Sequence, residues 1–100
     1  MLTPVSKPDV VLAVIAFTAH LQRVAPSAPT VCDAATVGEA LEAVCADYPL
    51  LKSYVLDDQG ALRKHVAVFL DGRMQPRETA LSSPVVETTE IYVFQALSGG

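Results

Sequence analysis

A single strong helix signal, set among runs that read as strands, constrains this chain more than any other feature. Thr36 is followed three residues later by Glu39, the spacing of a capping box. In that arrangement a hydroxyl and a carboxylate satisfy the free backbone N–H groups that open a helix. Val37, Ala40, Leu41, Val44 and Cys45 then fall at i, i+3, i+4, i+7 and i+8, one complete apolar stripe. Glu39, Glu42 and Asp47 face away from it, and Pro49 stops the helix near Asp47. On the stripe, Cys45 serves as a small hydrophobe. One helix of this kind cannot cover both faces of a sheet.

The rest of the chain supplies that sheet. Val10–Thr18 is apolar on both faces, the pattern of a central strand. His20–Pro29 holds Pro26, Ser27 and Pro29 and reads as a loop. Thr30–Asp33 is a short strand antiparallel to the first. After the helix, Pro49–Leu56 adds a further helical turn with Leu50, Leu51, Tyr54 and Val55 on the core, and residues 57–60 form a turn. His65–Leu70 alternates Val66, Val68 and Leu70 with Ala67 and Phe69, and Asp71-Gly72 is a hairpin signal. Arg73–Gln75 is a short returning strand ended by Pro76. Arg77–Thr89 is an irregular connection with a turn at Ser82-Ser83-Pro84. Glu90–Gln95 is the last strand. The economical solution is an α+β fold, a mixed four- to five-stranded sheet with the helix on one face. Its first and last strands are parallel neighbours at the centre, the β-grasp or ubiquitin-like arrangement.

Composition narrows the function classes. A chain of 100 residues holds one domain, assigned to residues 10–95 between a leader (1–9, with Pro4, Lys7 and Pro8) and a tail (96–100). Hydrophobic residues make up 51% and charged residues 18%, which excludes a disordered chain. The longest apolar run, Val10–Phe17, is far short of the roughly 20 residues a membrane helix needs. Asp9 stands where a signal peptide carries positive charge. A net charge of −4 argues against a nucleic-acid partner. Asp33, Glu39, Glu42, Asp47, Asp57 and Asp58 make the middle acidic. Arg63, Lys64, Arg73 and Arg77 follow as a small basic patch that reads as solvated turns. Cys32 and Cys45 make neither a disulfide framework nor a CxxC pair, and with His20 and His65 they show no metal-binding spacing. No metal site, resident cofactor or enzyme motif is expected.

The chain ends in Gly99-Gly100. Two terminal glycines arise by chance in roughly 0.5% of chains at average glycine usage, and they pack nothing. They offer a carboxylate on a thread without side chains, able to enter a narrow channel. Adenylation by ATP would turn that carboxylate into an acyl-adenylate open to a sulfur nucleophile.

Three segments, Ala35-Thr36-Val37-Gly38-Glu39-Ala40-Leu41, His65-Val66-Ala67-Val68-Phe69-Leu70-Asp71-Gly72 and Ile91-Tyr92-Val93-Phe94-Gln95-Ala96-Leu97-Ser98-Gly99-Gly100, resemble one family. It is the sulfur-carrier family of the molybdopterin synthase small subunit and the thiamine-pathway sulfur carrier. The resemblance covers residues 10–100 and implies a cytoplasmic carrier that binds no cofactor. It implies adenylation at Gly100 by a ubiquitin-activating-like enzyme that uses ATP, then a thiocarboxylate, with Leu97, Ser98 and Gly99 as the tail. The sulfur would pass to a synthase large subunit or its equivalent. Extra length in the leader and in residues 48–64 favours the molybdopterin-type branch, or the related carriers that serve cysteine and secondary-metabolite biosynthesis. Glu87-Thr88-Thr89-Glu90 replaces the family's usual Gly-Asp turn before the last strand.

Alternation places Phe69, Tyr92 and Phe94 opposite the helix-covered face of Val68, Ile91 and Val93. If they adjoin, they form an apolar docking patch beside the tail; the other outcomes are cover by the leader or scattered exposure. Two further readings compete with the carrier, a protein modifier joined to lysines and a non-covalent β-grasp interaction module.

Overall fold

The capping box forms. In a computed structural model describing residues 12–95, Thr36 Oγ1 accepts a hydrogen bond from Glu39 N at 3.2 Å. Glu39 Oε1 reaches back one residue further than the simple box, accepting from Ala35 N at 2.9 Å. The helix so opened, α1 (Val37–Asp47), buries Val37, Ala40, Leu41 and Val44. Cys45 departs from the expected stripe. It lies at the stripe's margin and is half-buried. Gly38 allows α1 to pack closely, because a Cβ there would sit 3.0 Å from the Leu81 carbonyl oxygen.

Pro49 starts a second helix, α2 (Pro49–Val55), as proline at the first helical position readily does. Leu51 and Val55, four residues apart, face the core. Leu50, expected there too, is 66% exposed, because its direction differs by about 100° from that of Leu51. The next turn is held by Asp57 Oδ1, which accepts from Gln59 N at 2.8 Å and Ala61 N at 3.0 Å.

The five strands are β1 (Leu12–Phe17), β2 (Thr30–Asp33), β3 (Val66–Leu70), β4 (Arg73–Met74) and β5 (Glu90–Gln95), in the order β2-β1-β5-β3-β4. β1 and β5 are parallel at the centre, with Ile15 opposite Ile91 and Phe17 opposite Val93. β2 pairs antiparallel with β1, and β3 with both β5 and β4. One sheet face supplies Ala13, Ile15, Phe17, Val68, Ile91 and Val93 to the core beneath α1. β1 is thus central in order but fully buried on that face alone; Leu12 is exposed, and Val14 and Ala16 are half-covered.

Two 3-10 turns lie in segments expected to be irregular, Ala19–Arg23 and Ala80–Ser82, and each plants one buried residue, Leu21 and Ala80. Such turns are too short to show a period. The β3–β4 hairpin takes left-handed backbone at both Asp71 (φ 49°) and Gly72 (φ 85°), as a two-residue hairpin requires. Before β5, Thr88 adopts φ 69°, and buried Thr89 accepts from Val86 N through Oγ1 at 2.9 Å. The turn therefore forms without glycine. The leader (1–9) and the tail (96–100) lie outside the described residues.

Two outcomes are expected. Ile15→Ala should cost about 2–5 kcal/mol in denaturant unfolding, since it removes a fully buried side chain beside the central pairing. Backbone hydrogen bonds from Ala61 and Gln59, aided by the charges of Arg63 and Arg77, hold the Asp57 carboxyl below its ordinary pKa. A depressed folded-state pKa stabilises above the unfolded value and is lost as pH falls through the folded value. Asp57→Asn should therefore weaken the fold at neutral pH, and the gap from the wild type should close as acid protonates Asp57.

Candidate functional site: an aromatic sheet face at the root of the tail

The β3–β5 register brings the predicted aromatics together. Phe69 stands directly opposite Tyr92, and Phe94 lies opposite Ala67 on the same face. Residues in register share a face of the sheet, and a diagonal neighbour lies within reach of an aromatic ring. Tyr92 and Phe94 are 41% and 39% exposed, and Phe69 is half-buried. With Gly72 and Glu90 they line an open depression of about 400 Å³. Gly72 adds no side chain at its rim.

The apolar surface extends beyond these rings. Met74 of β4 lies opposite Phe69, and Val31 of β2 lies opposite Val14 of β1. Met74 is 66% exposed and Val31 60%. Every strand therefore contributes an apolar residue to the face on which no described helix packs, and Asp33 and Glu90 bring charge to it. Sequence reasoning missed Val31, Leu12 and Met74, although the alternation of Leu12, Val14 and Ala16 carried the signal.

The patch adjoins the point where the chain leaves the sheet. Phe94 precedes Gln95, the last residue of β5, whose backbone N donates to Thr18 Oγ1 at 3.4 Å. Leu97, Ser98, Gly99 and Gly100, the other expected site residues, lie outside the described residues.

The cysteines hold no activated thiolate. Burial, with the charge of Asp33, pushes the Cys32 thiol up, and Cys32 Sγ lies 3.8 Å from the Ala13 carbonyl oxygen. Burial also raises Cys45, opposed by Lys52 and aided by Glu42. Thiol reactivity requires the opposite shift. No group of three or more His, Cys, Asp or Glu side chains is placed to hold a metal among the described residues. The expected basic patch divides. Arg63 Nε donates to Ser53 O at 2.9 Å and Arg77 Nη1 to Leu62 O at 3.3 Å. Lys64 precedes β3, while Arg73 lies beyond its far end.

Comparison with known proteins agrees with this architecture. Residues 15–100 match the ThiS family. Small archaeal modifier protein 1 of Haloferax volcanii is 36% identical over 66 residues, 66% of this chain and 71% of that protein. Its crystal structure superposes with a TM-score of 0.75 at 32% identity, covering 89% of this chain and 99% of that one. The solution structure of Urm1 from Trypanosoma brucei has a TM-score of 0.67 over 94% of this chain and 100% of that one. Its 10% identity makes it a likeness of fold alone. No described helix is long and apolar enough to cross a membrane. Family match, sequence identity and structural superposition agree: the chain belongs to the ThiS family, small ubiquitin-like β-grasp modifiers and sulfur carriers.

Proposed function

We propose that this protein is a sulfur carrier whose chemistry takes place on the α-carboxylate of Gly100. What supports the reading is that Gln95, which precedes the Gly99-Gly100 segment in sequence, closes an interior strand flanked by β1 and β3, with an exposed aromatic patch beside it. The family match running through residue 100 supports it. A carboxylate oxygen attacks the α-phosphorus of ATP on a ubiquitin-activating-like enzyme, and pyrophosphate leaves. A sulfur nucleophile then displaces AMP from the acyl-adenylate. Hydrosulfide gives the thiocarboxylate directly; a persulfide gives an acyl disulfide, which a thiol then cleaves. ATP belongs to the partner, and this chain acts as a substrate. The thiocarboxylate would deliver sulfur to a synthase large subunit or equivalent in cofactor or metabolite biosynthesis. The molybdopterin-type branch is favoured by the extra length in residues 48–64.

A second reading starts from the same acyl-adenylate. The relative from Haloferax volcanii bears the name of a modifier, and a lysine amine attacking the activated carbonyl would give an isopeptide bond. The aromatic patch serves either use, because docking precedes activation.

The test is the intact mass of the protein after incubation with its activating enzyme, ATP and a sulfur donor. Exchange of one oxygen for sulfur supports the carrier, and adducts on other proteins support the modifier. An unchanged mass supports a non-covalent module and contradicts both. Deleting Gly100 should abolish either product while leaving the circular dichroism spectrum intact. Phe94→Asp should raise KM for the activating enzyme about tenfold or more, with an unchanged melting temperature. Normal KM, or early melting, would remove Phe94 from the docking face.

A further inference from the structure

The register that exposes the aromatic face also gathers cations around the end of β5. β1 runs parallel to β5 and β3 antiparallel. The segment after β1 and the segment before β3 therefore flank the same end of the sheet, where the tail departs. The first carries His20 and Arg23 on the 3-10 turn Ala19–Arg23, which is held beside β5 by Thr18 N donating to Val93 O at 3.1 Å. The second carries Lys64 and His65, immediately before Val66, which pairs with Gln95. All four are exposed, and none of their side chains has a partner among the described residues.

The opposite end of the sheet carries Asp33 beside Leu12, Asp71 at the β3 hairpin, and Glu87 and Glu90 at the start of β5. Arg73 sits at that end too, next to the hairpin turn. Arg63, although adjacent to Lys64, is committed elsewhere: its Nε donates to Ser53 O and its charge acts on Asp57. Among the described residues charge is thus polarised, with cations that have no described partner at the end of β5 and carboxylates at the far end of the sheet.

We infer that Arg23 and Lys64, flanked by His20 and His65, form a cationic collar around the tail root that docks an acidic rim on the tail's protein partner. This rests on the proposed activation of Gly100. The rim belongs to the mouth of the channel in which the carboxylate is activated. Charge of one sign around a binding route steers a partner bearing the other and accelerates encounter, an effect that salt suppresses. The collar turns the molecule tail-first, against the repulsion that its net charge and terminal carboxylate meet at an acidic mouth. Two permanent cations on an acidic chain are too few for a nucleic-acid footprint.

The experiment measures ATP–pyrophosphate exchange by the cognate activating enzyme across a salt series. It compares the full chain with Arg23→Glu, Lys64→Glu and Arg73→Glu, which change net charge equally. At low salt the first two should each lower kcat/KM about fivefold with kcat unchanged, the gap closing at high salt. Arg73→Glu, at the other end of the sheet, should follow the wild type. Equal losses in all three variants would reduce the effect to net charge and overturn the collar, as would unchanged kcat/KM in the first two. A salt-independent fall in kcat would overturn it as well. Binding of a single-stranded oligonucleotide at the same salt, lost in Lys64→Glu, would assign the cations to nucleic acid instead. Exchange by the wild type with no effect of collar reversal overturns the collar alone; no exchange by the wild type overturns the activation reading, and the collar with it.

Discussion

The parallel pairing of β1 with β5 is the interaction on which the rest of the molecule depends. It joins the two ends of the described chain, placing Ile15 beside Ile91 and Phe17 beside Val93. No local signal can form it, and its loop-closure cost falls on a pair of strands separated by nearly the whole domain. Three features rest on it. Ile15, Ile91 and Val93 become the floor of the core beneath α1. β3 acquires the edge on which its hairpin is built. The last strand becomes central, so its exit direction is fixed by neighbours on both sides.

The same pairing explains why the molecule is one-sided. Helices α1 and α2 and both 3-10 turns contribute to the single buried core, and among the described residues no helix packs on the other sheet face. That face nonetheless carries Phe69, Tyr92 and Phe94 at its middle and Val31 and Met74 towards its edges. Contiguous exposed apolar surface of this kind marks an interaction site. One face thus holds the domain together, and the other, among the described residues, keeps its apolar side chains exposed. Burial pushes both thiols towards their protonated form, the opposite of what a nucleophilic cysteine needs.

Much of this was legible in the amino-acid order. The Thr36–Glu39 spacing and the stripe from Val37 to Val44 specified α1. Alternation in residues 66–70 and 90–95 specified which side chains share a face, and hence the aromatic patch. What escaped was set by tertiary context. Leu21 looked like part of a proline-rich loop because a five-residue 3-10 turn has no readable period. Leu50 looked buried because the restart of the helix at Pro49 shifts which face meets the core. Cys45 sits at the margin of the stripe and packs only partly against the core. The outer residues of β1 looked like those of a strand buried on both faces, since apolar composition does not reveal whether the second cover belongs to this chain or to a partner. Thr88 shows the converse: a β-branched residue takes a left-handed conformation where its N donates to Leu12 O and Thr89 Oγ1 accepts from Val86 N.

The central claim is that the domain docks while the Gly100 carboxylate reacts, and a semisynthetic chain ending in the C-terminal amide tests it most directly. The amide keeps every side chain and both terminal glycines and removes the attacking oxygen. In ATP–pyrophosphate exchange with the activating enzyme it should support no turnover, yet compete with the unmodified protein at a Ki close to the wild-type KM. Exchange at the wild-type rate by the amide, or failure of the amide to compete, would contradict that division of labour.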